Sequence, residues 1–113
     1  MSMTERLIKM LESGRDDPML RFGLGSAFFN EDRFEEAVEH LEACIRQDED
    51  YSAAYKLLGK SAYQLGDLDR AQSVFERGLA IAQKQGDKQT EKEIRVFQKK
   101  IGRQKEQSDG DNH

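Results

Sequence analysis

Apolar residues recur along this chain at steps of three and four, the interval at which side chains return to one face of an α-helix. Leu20, Leu24, Ala27 and Phe28 form one such face; Phe34, Ala37, Val38, Leu41 and Ile45 form the next. Between them the polar run Asn30-Glu31-Asp32 has room only for a tight turn. The pattern then starts again, with a helix predicted over 52–64, a turn at Leu65-Gly66-Asp67, and a helix over 68–84. Turns this short fold consecutive helices back antiparallel, so each pair is a hairpin.

Shorter signals flank the hairpins. Leu7, Ile8 and Leu11 predict a helix over 4–13, with Thr4 as its N-cap and Gly14 as its stop. Asp17-Pro18 predicts the next start, Asp17 capping and Pro18 sitting in the first turn, where a missing N–H costs nothing. In the second hairpin Gly66 supplies a left-handed residue to end one helix and Asp67 caps the other. Beyond Gln85-Gly86-Asp87, the stripe Ile94, Phe97 and Ile101 predicts a final helix over 87–102. The chain is polar from Arg103 onward, and 107–113 is expected to be a disordered tail.

The two hairpins are copies: residues 17–50 return as 51–84 at a spacing of 34. Leu24-Gly25 returns as Leu58-Gly59, Phe34 as Leu68, Ala37 as Ala71, Leu41 as Phe75, and Ile45 as Leu79. The second copy reads Tyr55-x-x-Leu58-Gly59-x-x-Ala62, then Ala71-x-x-x-Phe75; the first reads Arg21-x-x-Leu24-Gly25-x-x-Phe28, then Ala37-x-x-x-Leu41. This doubled motif resembles the tetratricopeptide repeat. The resemblance implies an all-α fold, antiparallel hairpins stacked as a short solenoid. It also implies a non-catalytic protein or peptide binder of adaptor or co-chaperone type.

Departures from the motif carry expectations of their own. Arg21 and Ala62 stand where aromatics are usual, and Glu49 and Gln83 stand where each unit would end in proline, so 68–84 is expected to run as one long helix. A mid-helix glycine costs about 1 kcal/mol relative to alanine. Gly25 and Gly59 therefore predict close approach of the partner helix, with small Ala37 and Ala71 facing them. Two repeats are fewer than the three that normally make a stable array, so both terminal helices are expected to act as caps, giving one domain over 1–106.

The resemblance places a peptide groove on the first helix of each hairpin. By register the groove holds Phe22, Ser26 and Phe29 with Met19 and Asn30 beside them, and Lys56, Lys60 and Tyr63 with Gln64. An apolar side chain would lie against the aromatics while the lysines neutralise a carboxylate. This matches the family's carboxylate clamp only in part, because Gly23 and Ser26 stand where the clamp would want amides. The alternative is that Phe22 and Phe29 pack against the N-terminal helix and the lysines are merely solvated.

Charge adds a second possibility. The net charge is -4, but residues 31–50 hold nine acids against Arg33 and Arg46, while residues 84–106 hold eight bases against four acids. Opposed faces of this kind offer an alternative function, a structural subunit that self-assembles head to tail; the expected state is a monomer or weak homo-oligomer. The basic segment lacks interleaved exposed aromatics, which disfavours nucleic acid.

Other chemistry finds little support. No stretch approaches the roughly 18 apolar residues of a membrane span, and Met1–Arg6 lacks a signal peptide's apolar core, so a cytoplasmic setting is expected. The lone Cys44 is expected to pack between helices. His40 and His113 lie far apart in sequence; Phe22-Gly23-Leu24-Gly25-Ser26 follows no strand; Asp48-Glu49-Asp50 lacks a calcium loop's spacing. No enzyme, metal or cofactor is expected.

Overall fold

A computed structural model describes the backbone of residues 1–110 and the side chains of residues 1–107. Six helices follow one another: α1 (Met3–Glu12), α2 (Pro18–Asn30), α3 (Phe34–Gln47), α4 (Ser52–Gln64), α5 (Leu68–Gln85) and α6 (Lys88–Gly110). α2 pairs with α3 and α4 with α5, giving the two hairpins. α2, α4 and α6 lie side by side in one layer, α3 and α5 form the other, and α1 touches only α2. The radius of gyration is 15.1 Å, above the roughly 13 Å of a compact 100-residue chain, as a linear stack requires.

The ends of the helices follow local chemistry. The Asp17 carboxylate accepts from the Leu20 N–H with Pro18 in the first turn, and the Asp67 carboxylate accepts from the Arg70 N–H. α1 is capped by Ser2, whose hydroxyl accepts from the Glu5 N–H, and not by Thr4. Thr4 is buried and donates instead to the Glu31 carboxylate, tying α1 to the end of α2. Gly66 ends α4 at φ +80°, and Asp32, 34 residues earlier, holds the same left-handed position at φ +59°.

α6 departs most from expectation. It continues through Gly110 rather than stopping near residue 102, so it covers the first part of the segment expected to be a disordered tail; residues 111–113 lie outside the described residues. Lys105 explains part of the extension, since its ammonium donates to Asp69 and Gln72 of α5 at 2.7 and 2.6 Å. α5 is the long helix that the missing proline implied, ending at Gly86 with φ +71°.

Two apolar clusters fill the stack. Leu20, Leu24, Phe28, Leu41, Cys44 and Leu58 belong to the first, in which Leu7, Ile8 and Leu11 of α1 also pack. Ala62, Ala71, Phe75, Ile94 and Ile101 make the second, closed by half-buried Phe97. Both glycines of the repeated motif are sites of close approach. A Cβ on Gly25 would lie 2.5 Å from Leu41, and one on Gly59 would lie 2.3 Å from Phe75. The obstructing groups are therefore the large residues one turn beyond Ala37 and Ala71, not the alanines. A third contact escaped the motif: a Cβ on Gly78 would lie 2.6 Å from the Cβ of Tyr55.

The departures from the motif are compensated by their neighbours. Tyr55 is buried and its hydroxyl donates to the Glu49 carbonyl at 2.9 Å. Arg21, its counterpart, bonds Asp16 at 2.8 Å and places a second nitrogen 3.0 Å from His40 Nδ1. Ala62 loses the bulk of Phe28, and Phe75 restores some of it where the first hairpin has only Leu41.

Candidate functional site

α2 and α4 enclose a surface concavity between them, and one-turn spacing along each helix decides which residues line it. Phe22, Ser26, Phe29 and Asn30 from α2 meet Ala53, Lys56, Leu57 and Lys60 from α4 around a concavity of about 270 Å³. Five of the six residues assigned to the groove from sequence thus come together: Phe22, Ser26, Phe29, Lys56 and Lys60. Tyr63, the sixth, does not line it. α6 covers Tyr63, whose ring meets Phe97 edge-on at 5.4 Å and whose hydroxyl accepts from Gln104. Met19 and Gln64 are also outside the concavity, and Met19 is 69% exposed.

The aromatic strip is held from beneath. Phe22 lies against Tyr51 with ring centroids 5.0 Å apart, and Phe29 meets Phe34 edge-on at 5.4 Å. Both rings remain half-buried. α1 docks elsewhere on α2, its Leu7 side chain lying 3.6 Å from where a Gly23 Cβ would be. The N-terminal helix therefore leaves the groove open.

The two lysines differ in their surroundings. The Lys56 ammonium donates to the Glu93 carboxylate of α6 at 2.7 Å. Lys60 sits over two rings, 5.3 Å from the Phe29 centroid and 5.5 Å from that of Phe97. Among the described residues it has no carboxylate within salt-bridge distance. Glu93 and Phe97 were not legible as part of this surface, because nothing in the 34-residue register says where a helix outside the repeat will lie.

Titratable groups elsewhere are structural. Cys44 is a free thiol, fully buried, and burial pushes its pKa up to about 11, so it is not primed as a nucleophile. His40 is buried against Phe28, and burial followed by the Arg21 charge lowers its pKa below 6.5. Asp16 is held well below the usual carboxylate range by its hydrogen bonds from Arg21 and Gln47. No group of three or more His, Cys, Asp or Glu able to hold a metal occurs among the described residues. No helix among them is long and apolar enough to cross a membrane.

Antiparallel helix hairpins, repeated in register and stacked side by side, define a helical-repeat protein. The chain belongs to the tetratricopeptide repeat family, which matches residues 28–89. It is 50% identical over 101 residues to TPR repeat-containing protein PA0015 of Pseudomonas aeruginosa, a match covering 89% of this chain and 96% of that protein. The solution structure of protein BPP2914 from Bordetella parapertussis is 41% identical with a TM-score of 0.81, covering 92% of this chain and 90% of the other. PcrH, crystallised in complex with the chaperone binding region of PopD, has a TM-score of 0.84 at 19% identity, covering 90% of this chain and 77% of PcrH. That last similarity is one of fold.

Proposed function

We propose that this chain is a non-catalytic interaction module that holds a segment of a protein partner in the groove between α2 and α4. The convergence of Phe22, Phe29 and Lys60 on one concavity, from helices a full repeat apart, carries the assignment. An apolar side chain seats between the two half-buried rings. A neighbouring carboxylate meets Lys60, whose ammonium is already oriented by Phe29 and Phe97. Lys56 is engaged by Glu93, so a ligand carboxylate at that position has to compete with the chain's own. Lys60 is accordingly the anchor, and the pair does not act as a symmetric clamp. PcrH, alike in fold, forms a complex with the chaperone binding region of PopD; a protein segment is the kind of occupant we propose here. A cytoplasmic setting suits the single free thiol.

The test is affinity capture from a lysate of the source cells, comparing the wild-type chain with Lys60→Glu and with Lys92→Glu on the outer side of α6. A partner lost with Lys60→Glu and kept with Lys92→Glu supports the groove. Equal retention by both variants contradicts it.

The second reading, self-assembly through the acidic α3 face and the basic α6 face, has exposed Val96 on α6 in its favour. It is weakened because charges from the two regions are already used internally: Glu42 pairs with Arg70, and Lys105 with Asp69. A sedimentation coefficient that does not change with concentration at low salt would exclude it.

A further inference from the structure

The face of α4 opposite the groove carries a second concavity. The backbones of α3 and α5, the outer helices of the two hairpins, do not approach each other, and the gap between them is about 260 Å³ with α4 at its base. Its apolar lining comes from Ile45, Leu58 and Val74, and Tyr55 adds a buried ring. Three guanidinium groups, those of Arg46, Arg70 and Arg77, share this site with a single carboxylate, that of Glu42.

The charge is unbalanced where the chain as a whole is acidic. Arg70 pairs with Glu42, bridging α5 to α3. Arg46 reaches the same carboxylate only at 4.0 Å and is 69% exposed. Arg77 lies 5.4 Å from the Tyr55 ring centroid and 3.4 Å from its hydroxyl, with no carboxylate in salt-bridge range among the described residues. One acid for three permanent cations leaves two guanidiniums with unused donors beside an apolar surface. Guanidinium is the side-chain group best matched to a carboxylate, which it can hold through two parallel hydrogen bonds.

We propose that this α3–α5 gap is a second peptide-docking site, which takes an acidic segment carrying an aliphatic side chain. The aliphatic group rests on Ile45, Leu58 and Val74, and an adjacent carboxylate bridges Arg46 and Arg77. The two sites lie on opposite faces of α4, so one partner or two can engage the chain at once.

The experiment is an amide NMR titration of the full chain with acetyl-Ile-Asp-Asp-Leu-amide, and with the same peptide carrying lysines in place of the aspartates. Shifts at Ile45, Leu58, Ser73 and Val74 with the acidic peptide alone are expected. Arg46→Glu/Arg77→Glu should weaken that binding about tenfold or more, since it reverses the two charges that face the ligand. Arg46→Gln/Arg77→Gln, which removes charge without adding repulsion, should weaken it less and serves if the reversal disturbs folding. Shifts confined to Phe22, Phe29 and Lys60 would overturn the proposal while leaving the concave groove intact. Equal response to the lysine peptide would also overturn it. So would concentration-dependent shifts at these residues without peptide, which would make a second copy the occupant.

Discussion

Gly59 shows how a single residue sets the distance between two helices. Its absent side chain admits the Phe75 ring to within 2.3 Å of where a Cβ would stand. Gly59→Leu forces that ring and its helix outward, and overpacking of a buried contact costs about 1–3 kcal/mol. The urea midpoint should fall accordingly, with the slope unchanged. His40 is the other residue whose environment makes a measurable claim. Burial and Arg21 lower its pKa, against the opposing fields of Glu39, Asp16 and Glu36. The unfolded chain takes up a proton near pH 6.5, while the folded chain does so only lower, so below 6.5 the unfolded state binds more protons. Stability contributed by neutral His40 is therefore complete above that pH and declines as the pH drops through the window. The melting temperature should fall from about pH 7.5 to about pH 5.5, and His40→Gln should flatten the interval.

At the scale of helices and turns, the two hairpins solve one problem with different residues. Gly66 and Asp32 both end a helix in the left-handed region, and only the glycine does so without steric cost. Asp32→Gly removes a left-handed strain of at most about 1–2 kcal/mol and returns about 0.4–1 kcal/mol of it to the conformational entropy of the unfolded chain, so the protein should be stabilised by about 1 kcal/mol or less. Chemical denaturation would register it. α6 supplies Ile94, Phe97 and Ile101 to the second cluster, in which Phe75 would otherwise face solvent. Removing residues 87–113 should lower the melting temperature, raise binding of a hydrophobic dye and promote association. A truncated chain that stays monomeric and melts unchanged would show that α6 is not a cap.

How much of this was legible follows from which residues repeat. Leu24, Leu41, Leu58 and Phe75 recur in register because every hairpin buries the same positions, so helix order, turns and core emerge from periodicity alone. The groove face of α2 and α4 was placed by the family resemblance, with the register supplying only the residue numbers, of which Phe22, Ser26, Phe29, Lys56 and Lys60 line one concavity. Tyr63 failed because its exposure depends on α6, which lies outside the repeat and packs across it. The Lys56–Glu93 pair was invisible for the same reason, spanning 37 residues between unlike elements. The only long-range hydrogen bonds among the described residues past 102 run from Lys105 to Asp69 and Gln72 and from Gln104 to Tyr63, and such polar contacts leave no apolar stripe to read. The gap between α3 and α5 had no signature either, since it is a space that two helices fail to close.

Across the whole molecule, α4 contributes to both cores, to the groove shared with α2 and, on its opposite face, to the gap between α3 and α5. Most of the repeated residues are hidden, so the proposed function assigns selectivity to residues that differ between repeats: Phe22 against Lys56, Ser26 against Lys60. The most direct measurement is an amide NMR titration of the chain with the partner segment identified by capture. Perturbations centred on Phe22, Ser26, Phe29 and Lys60, and abolished by Lys60→Glu, are the predicted result. Saturable binding that leaves those four residues unmoved would contradict it.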